Sequence, residues 1–187
     1  MRAPGKLRLG GAVAAFALAA LGVAAPQAQA AAATAAGTSA TAATTPDCQG
    51  ICVLGVRAAT HPTYDRFVVD LGEGTIPSWT TSVQTEPLTC CADPEPKVVP
   101  ITGTSYLKIL LSSATTFDFS TNTVVYTSPR HETYAFPSLK GQGQYGTNDP
   151  ESRAFPIGLA LDDYSSYKVF KLTAPNRLVV DIFHPAP

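Results

Sequence analysis

DRFVVDL, residues 65–71, returns almost letter for letter as NRLVVDI, residues 176–182. In an extended chain successive side chains point to opposite faces, so Phe67, Val69 and Leu71 share one face, and Arg66, Val68 and Asp70 share the other. The second copy repeats the division, with Leu178, Val180 and Ile182 set against Arg177, Val179 and Asp181. A wholly apolar face backed by a charge-flanked one is the pattern of a strand packed on a core on one side. Within one copy Arg and Asp are ~13 Å apart at ~3.3 Å per residue, too far to pair directly. If the copies lie side by side and antiparallel, Arg66 falls near Asp181 and Arg177 near Asp70, and the cross-strand charges set the register. If they lie in different sheets, the repetition records one packing problem solved twice. The sequence admits both arrangements.

Working outward, SWTTSVQT, YLKILLSSA, TNTVVYTS, FPIGLALDD and YKVFKLT are further short runs rich in Val, Leu, Ile, Phe, Tyr and Thr, separated by Gly, Pro, Asn or Asp. No window after the first thirty residues has a helical period, so the reading is all-β, a sandwich or barrel-like fold with little or no helix. One helical turn is allowed around residues 112–116.

The N-terminal residues 1–30 combine a basic start (Arg2, Lys6, Arg8), an Ala-rich apolar run and Ala28-Gln29-Ala30, the pattern of a cleaved secretory signal peptide. The apolar run is shorter than the ~20 residues a membrane span needs, so stable membrane insertion is not expected. Residues 31–47 are an Ala/Thr-rich tract with no large apolar side chain, read as a flexible stalk. Residues 48–187 have the length of one domain. Three of the 13 basic residues belong to the leader, which leaves ten against 14 acidic ones, a net charge of −4. That balance argues against a nucleic-acid partner, which requires a basic surface. The four cysteines are Cys48, Cys52 and the adjacent Cys90 and Cys91. In an exported chain an even count points to disulfides, and the strain of a vicinal ring leads to the expectation of two bridges tying the 48–52 segment to the 90–91 segment. A zinc site is the rival, but neither spacing matches a CxxC knuckle.

Catalytic chemistry is harder to find. His61, His131 and His184 lack metal spacing, and His131-Glu132 lacks a second histidine at Ala135, so neither a metal nor another cofactor is expected. His61 is read as capping its loop through Asp65 or backbone, and His184 as exposed. No GxSxG elbow or Walker loop is present. Asp162-Asp163 with Glu151 lacks the setting of a glycosidase pair and reads as a solvated turn. The chain is therefore read as non-enzymatic. Residues 127–153 form a segment too long for a hairpin loop, in which Tyr134, Phe136 and Tyr145 stand among Arg130, Asn148 and other polar residues. Sugar rings stack on aromatic faces and bond to amides and charged groups, so these five residues are the candidate ligand contacts. Folding back of the aromatics onto the sandwich edge is the alternative role, as core or rim packing is for Trp79.

The ordered set RAATHPTYDRFVVDL (residues 57–71), Trp79, GTSYLKILLSSA, IGLALDDYSSYKVFKL and TAPNRLVVDIF resembles the actinobacterial AMIN-like domain, and more distantly the AMIN domain of bacterial envelope proteins. The likeness spans about residues 55–183. It implies a β-sandwich of two small sheets, a place at the cell envelope or cell wall, and affinity for peptidoglycan or glycan. It departs from the family at QGQYGTNDPESRAF and at the cysteines. The expected protein is thus a secreted wall-binding module. The alternative is a secreted inhibitor or interaction domain that docks on another secreted protein through a disulfide-pinned loop.

Overall fold

Chain segments with apolar residues at every second position are extended in the structure, a computed structural model that describes residues 45–91, 94–147 and 149–186. The leader and almost all of the stalk lie outside the described residues. In chain order the strands are β1 (Ile51–Thr60), β2 (Tyr64–Leu71), β3 (Trp79–Gln84), β4 (Thr89–Cys90), β5 (Lys97–Val98), β6 (Ser105–Ser112) and β7 (Ala114–Thr115). They continue as β8 (Phe117–Asp118), β9 (Thr123–Val124), β10 (His131–Thr133), β11 (Leu139–Gln144), β12 (Ala154–Leu161), β13 (Ser166–Leu172) and β14 (Arg177–Phe183). Among the described residues the helical content is one 3-10 turn at Pro150–Ser152. Residues 112–116, where a helical turn was allowed, instead finish β6 and form β7.

Two five-stranded sheets face each other, β13-β14-β2-β1-β7 and β10-β11-β12-β6-β3. The repeated phrase occupies the middle of the first sheet: β2 and β14 are antiparallel neighbours, with Arg66 opposite Asp181 and Arg177 opposite Asp70. Phe67, Val69, Leu71, Leu178, Val180 and Ile182 point inward and meet Leu107, Ile109, Leu111, Ile157, Leu159 and Leu161 from the second sheet. Most are fully buried, and removing each such side chain from water is worth about 1.5–3 kcal/mol. Trp79 and Tyr167 close the rim of this core as half-buried side chains.

The outer face of the second sheet is also covered. Residues 88–91 and 94–103, which include β4 and β5, cross it as a strap, and Leu88, Val99 and Ile101 form a second small core with Tyr106 and Ala160. The strap fits because the sheet beneath it lacks side chains at the crossing points. A Cβ on Gly158 would stand 2.0 Å from Leu88 Cδ1, and one on Gly143 would stand 2.4 Å from Val99 Cγ1. Both approaches are closer than packed carbon atoms tolerate.

The cysteine expectation fails. Cys48 and Cys52 are bonded to each other, while Cys90 and Cys91 are free thiols. Cys52 belongs to β1 in the first sheet and Cys90 to the strap outside the second, so the sandwich stands between the two pairs. With a left-handed residue at Gln49 (φ 48°), the chain turns back on itself and brings the Cα atoms of Cys48 and Cys52 within 5.2 Å, inside the range a disulfide spans. The segment 127–153 is likewise not an irregular loop, since it contains β10, β11 and the 3-10 turn.

Candidate functional site

The strand pair β10–β11 forms one edge of the second sheet, and alternation along it creates two distinct surfaces. On the inner side stand Glu132 opposite Gln142, then Gln144. On the outer side stand His131 opposite Gly143, Thr133 opposite Gly141, and beyond them Tyr145. The aromatic residues singled out from the sequence are divided between these surfaces.

Tyr134 and Phe136 stack on each other, with centroids 5.2 Å apart and ring planes 11° apart, and pack half-buried against the main core. The Tyr134 hydroxyl donates to Glu132 Oε2 at 3.1 Å. Tyr126, also half-buried beside the core, donates to the Pro129 carbonyl at 3.4 Å and lies 5.9 Å from the Phe155 ring. Gln142 Nε2 donates to the same carbonyl at 3.1 Å. Burial pushes the Tyr126 phenol up to about 12. It pushes Tyr134 up as well, with the nearby Glu132 carboxylate adding to the effect. Both hydroxyls therefore remain neutral donors across the physiological range. The result is a neighbourhood of aromatic rings, amides and one carboxylate at the mouth of the sandwich.

The segment preceding it is held by β1. Thr127 N donates to Leu54 O at 2.9 Å, and the Ser128 hydroxyl accepts from Val56 N at 2.8 Å and donates to Val56 O at 3.0 Å. A serine side chain thus takes the place of a neighbouring strand along β1. Gly55 makes the approach possible, because a Cβ there would lie 2.8 Å from Ser128 Oγ.

Tyr145 is elsewhere, packed against the second core with Lys108 Nζ 4.9 Å from its ring centroid. Arg130 is exposed and lines an outer cleft of about 260 Å³ with Cys90, Cys91, Lys97 and His131. Asn148 lies outside the described residues. The candidate contacts therefore do not form one constellation: Tyr134 and Phe136 meet, whereas Tyr145 and Arg130 belong to the other side of the edge. Tyr126, Gln142 and Gln144 did not stand out in the sequence, and Glu132 did so only beside His131 as an incomplete metal motif. The Gln-Gly alternation of LKGQGQ was the available signal for Gln142 and Gln144.

The residues of the RAATHPTYDRFVVDL motif are spread along β1 and β2 of the first sheet and tie the fold together at both ends of β2. Arg57 Nη2 bonds Asp70 Oδ1 at 2.9 Å, and Arg177 Nε stands 3.5 Å from the same oxygen. Arg66 grips Asp181 with Nε at 2.7 Å and Nη2 at 2.8 Å. His61 does not bond Asp65; its ring stacks on Tyr64 at 4.4 Å, and its amide donates to the Tyr64 carbonyl. Asp65, fully buried, accepts from Ser138 N at 2.7 Å and Leu139 N at 2.8 Å through Oδ2. Its Oδ1 faces His184 Nε2 at 3.1 Å, off the line of a good hydrogen bond but within ion-pair reach. Burial alone would raise the Asp65 pKa, but the Thr60 side chain, the two amides and the nearby His184 ring outweigh it and hold the carboxyl below its ordinary value. His184, read from the sequence as exposed, has a side chain only 15% accessible.

Among the described residues no three of His, Cys, Asp and Glu gather as metal ligands, and no helix is long and apolar enough to cross a membrane. No curated protein and no solved structure matches the chain. The family model described as the AMIN-like domain matches residues 52–184.

Proposed function

Because the chain belongs to the AMIN-like domain family, we propose that it is a secreted, non-enzymatic module of the cell envelope that binds wall peptidoglycan or its glycan at the inner side of the β10–β11 edge. Export rests on the leader pattern of residues 1–30. The observation that carries the ligand reading is the stacked Tyr134–Phe136 pair with Glu132 on the Tyr134 hydroxyl. Rings held rigidly at a rim, with the exposed Glu132 carboxylate beside them, are parts that bind a neutral polyhydroxylated ligand. The net charge of −4 after leader removal is compatible with such a ligand and not with a polyanion.

The test is co-sedimentation with purified insoluble peptidoglycan. The parent protein should pellet with the wall, and Tyr134→Ala/Phe136→Ala should weaken retention by at least about tenfold, the loss typical of removing rigid aromatic anchors. Glu132→Gln, at an exposed position, should weaken retention without lowering the thermal midpoint, which separates loss of contact from loss of fold. Tyr145→Ala should bind as the parent does. A parent that stays in the supernatant would remove the wall-binding reading.

A further inference from the structure

The outer side of the same edge has a different chemistry, which the wall-binding reading leaves unused. Cys90 and Cys91 lie side by side on the strap with their Sγ atoms 2.8 Å apart. Cys90 is half-buried and Cys91 is exposed. The other two cysteines are bonded to each other, so each of these thiols has the other as its sole sulfur partner within the chain. The pair is anchored: Cys91 N donates to Gly146 O at 3.2 Å and Gly146 N to Thr89 O at 2.8 Å, which docks the dithiol on the end of β11. Lys97, Arg130 and His131 line the cleft into which the pair opens, and Lys97 and Arg130 act electrostatically on Cys90.

We propose that Cys90 and Cys91 form a dithiol site that reduces low-molecular-weight disulfides carrying carboxylates and closes to a vicinal disulfide in doing so. The exposed Cys91, as its thiolate, attacks one sulfur of RSSR, forms Cys91–S–S–R and expels RS⁻. Cys90 then loses its proton and attacks Cys91 Sγ, which closes the Cys90–Cys91 bond and expels the second RS⁻. The chain gives up two electrons and two protons, and RSSR leaves as two RSH. The order of attack follows from access, since Cys91 faces solvent. It agrees with the state of Cys90, whose thiol is pushed up by its contact with Cys91 and by burial and so stays protonated as the reserve nucleophile. The cationic lining favours a carboxylate-bearing disulfide over a cationic one. An eight-membered ring is strained, which makes the dithiol a weak reductant, so closure proceeds with the low-molecular-weight disulfide in excess and reverses when free thiol is in excess.

The experiment takes the full chain, reduced under conditions that spare the Cys48–Cys52 bond, and treats it with oxidised glutathione. The expected product is lighter by two hydrogens, carries no glutathione and has lost the alkylation of both Cys90 and Cys91. Cys90→Ser should instead hold one glutathione on Cys91, because the resolving thiol is gone. Cystamine, a cationic disulfide, should react more slowly than oxidised glutathione, and Lys97→Ala/Arg130→Ala should narrow the difference. Retained glutathione on the parent, disulfide-linked dimers, or two thiols that remain alkylatable throughout would each overturn the dithiol site. Equal rates with the two disulfides would overturn its charge preference.

Discussion

Asp181 and Asp70 face the same side of neighbouring strands, yet their surroundings give them different weights. Asp181 is 7% exposed and receives two bonds from Arg66, whereas the Asp70 side chain is 35% exposed and shares one oxygen between Arg57 and Arg177. Removing Arg66 strands a buried carboxylate, so Arg66→Met should cost about 2–4 kcal/mol in urea unfolding. Asp70→Asn breaks only exposed pairs and should cost less than about 1 kcal/mol. Equal losses for the two variants would contradict this account. Asp65 and Asp118 are both held below the ordinary carboxylate value, Asp118 chiefly by the hydroxyls of Ser120 and Thr121. A group lowered on folding contributes stability above its unfolded pKa, near 4, and that contribution disappears as pH falls through the folded value. Stability should therefore be level from neutral pH to about 5 and decline below about 4. Asp65→Asn should be less stable at neutral pH and decline less steeply in acid, as read by thermal midpoints across the pH range. The Arg and Asp positions were legible in the sequence because alternation placed them on one face. The task of Asp65 was not, because its acceptors' partners are backbone amides 73 and 74 residues away.

Most long strands that bury apolar side chains announced themselves, but β1, which buries Ile51, Val53 and Val56, did not, and neither did those that use glycine or backbone partners. RFVVDLG, FPIGLALDD and RLVVDIF correspond to β2, β12 and β14. TNTVVYTS yields only the two residues of β9, and its last two residues, Thr127 and Ser128, bond to β1, where Ser128 replaces strand backbone. Among the strands the sequence reading passed over, β11 reads LKGQGQ, with no apolar alternation to see, yet its glycines are what admit the strap. Gly158→Ala places a methyl group against the fully buried Leu88, and overpacking of this kind should cost about 1–3 kcal/mol. It should also loosen the strap, so Cys90, half-buried in the parent, should be alkylated faster in the variant. An unchanged alkylation rate would mean that the strap does not depend on the bare surface of β12.

At the scale of the whole molecule, the first and last long runs of the chain meet. β1 and β2 open the first sheet, and β13 and β14 return to complete it against β2. The second sheet is built by the intervening chain, and the core between the sheets is continuous. What the sequence by itself determined is the all-β class, the inward residues of the repeated phrase and the family pattern, because each is written in local alternation and in ordered motifs. The choice between paired and separated copies, the bonding of Cys48 to Cys52, the free thiols at Cys90 and Cys91 and the division of the aromatics across the β10–β11 edge were decided only by tertiary structure. Each depends on which residues distant in the chain share a face, and period-two alternation assigns a residue to a side of its own strand without saying which strand lies beside it.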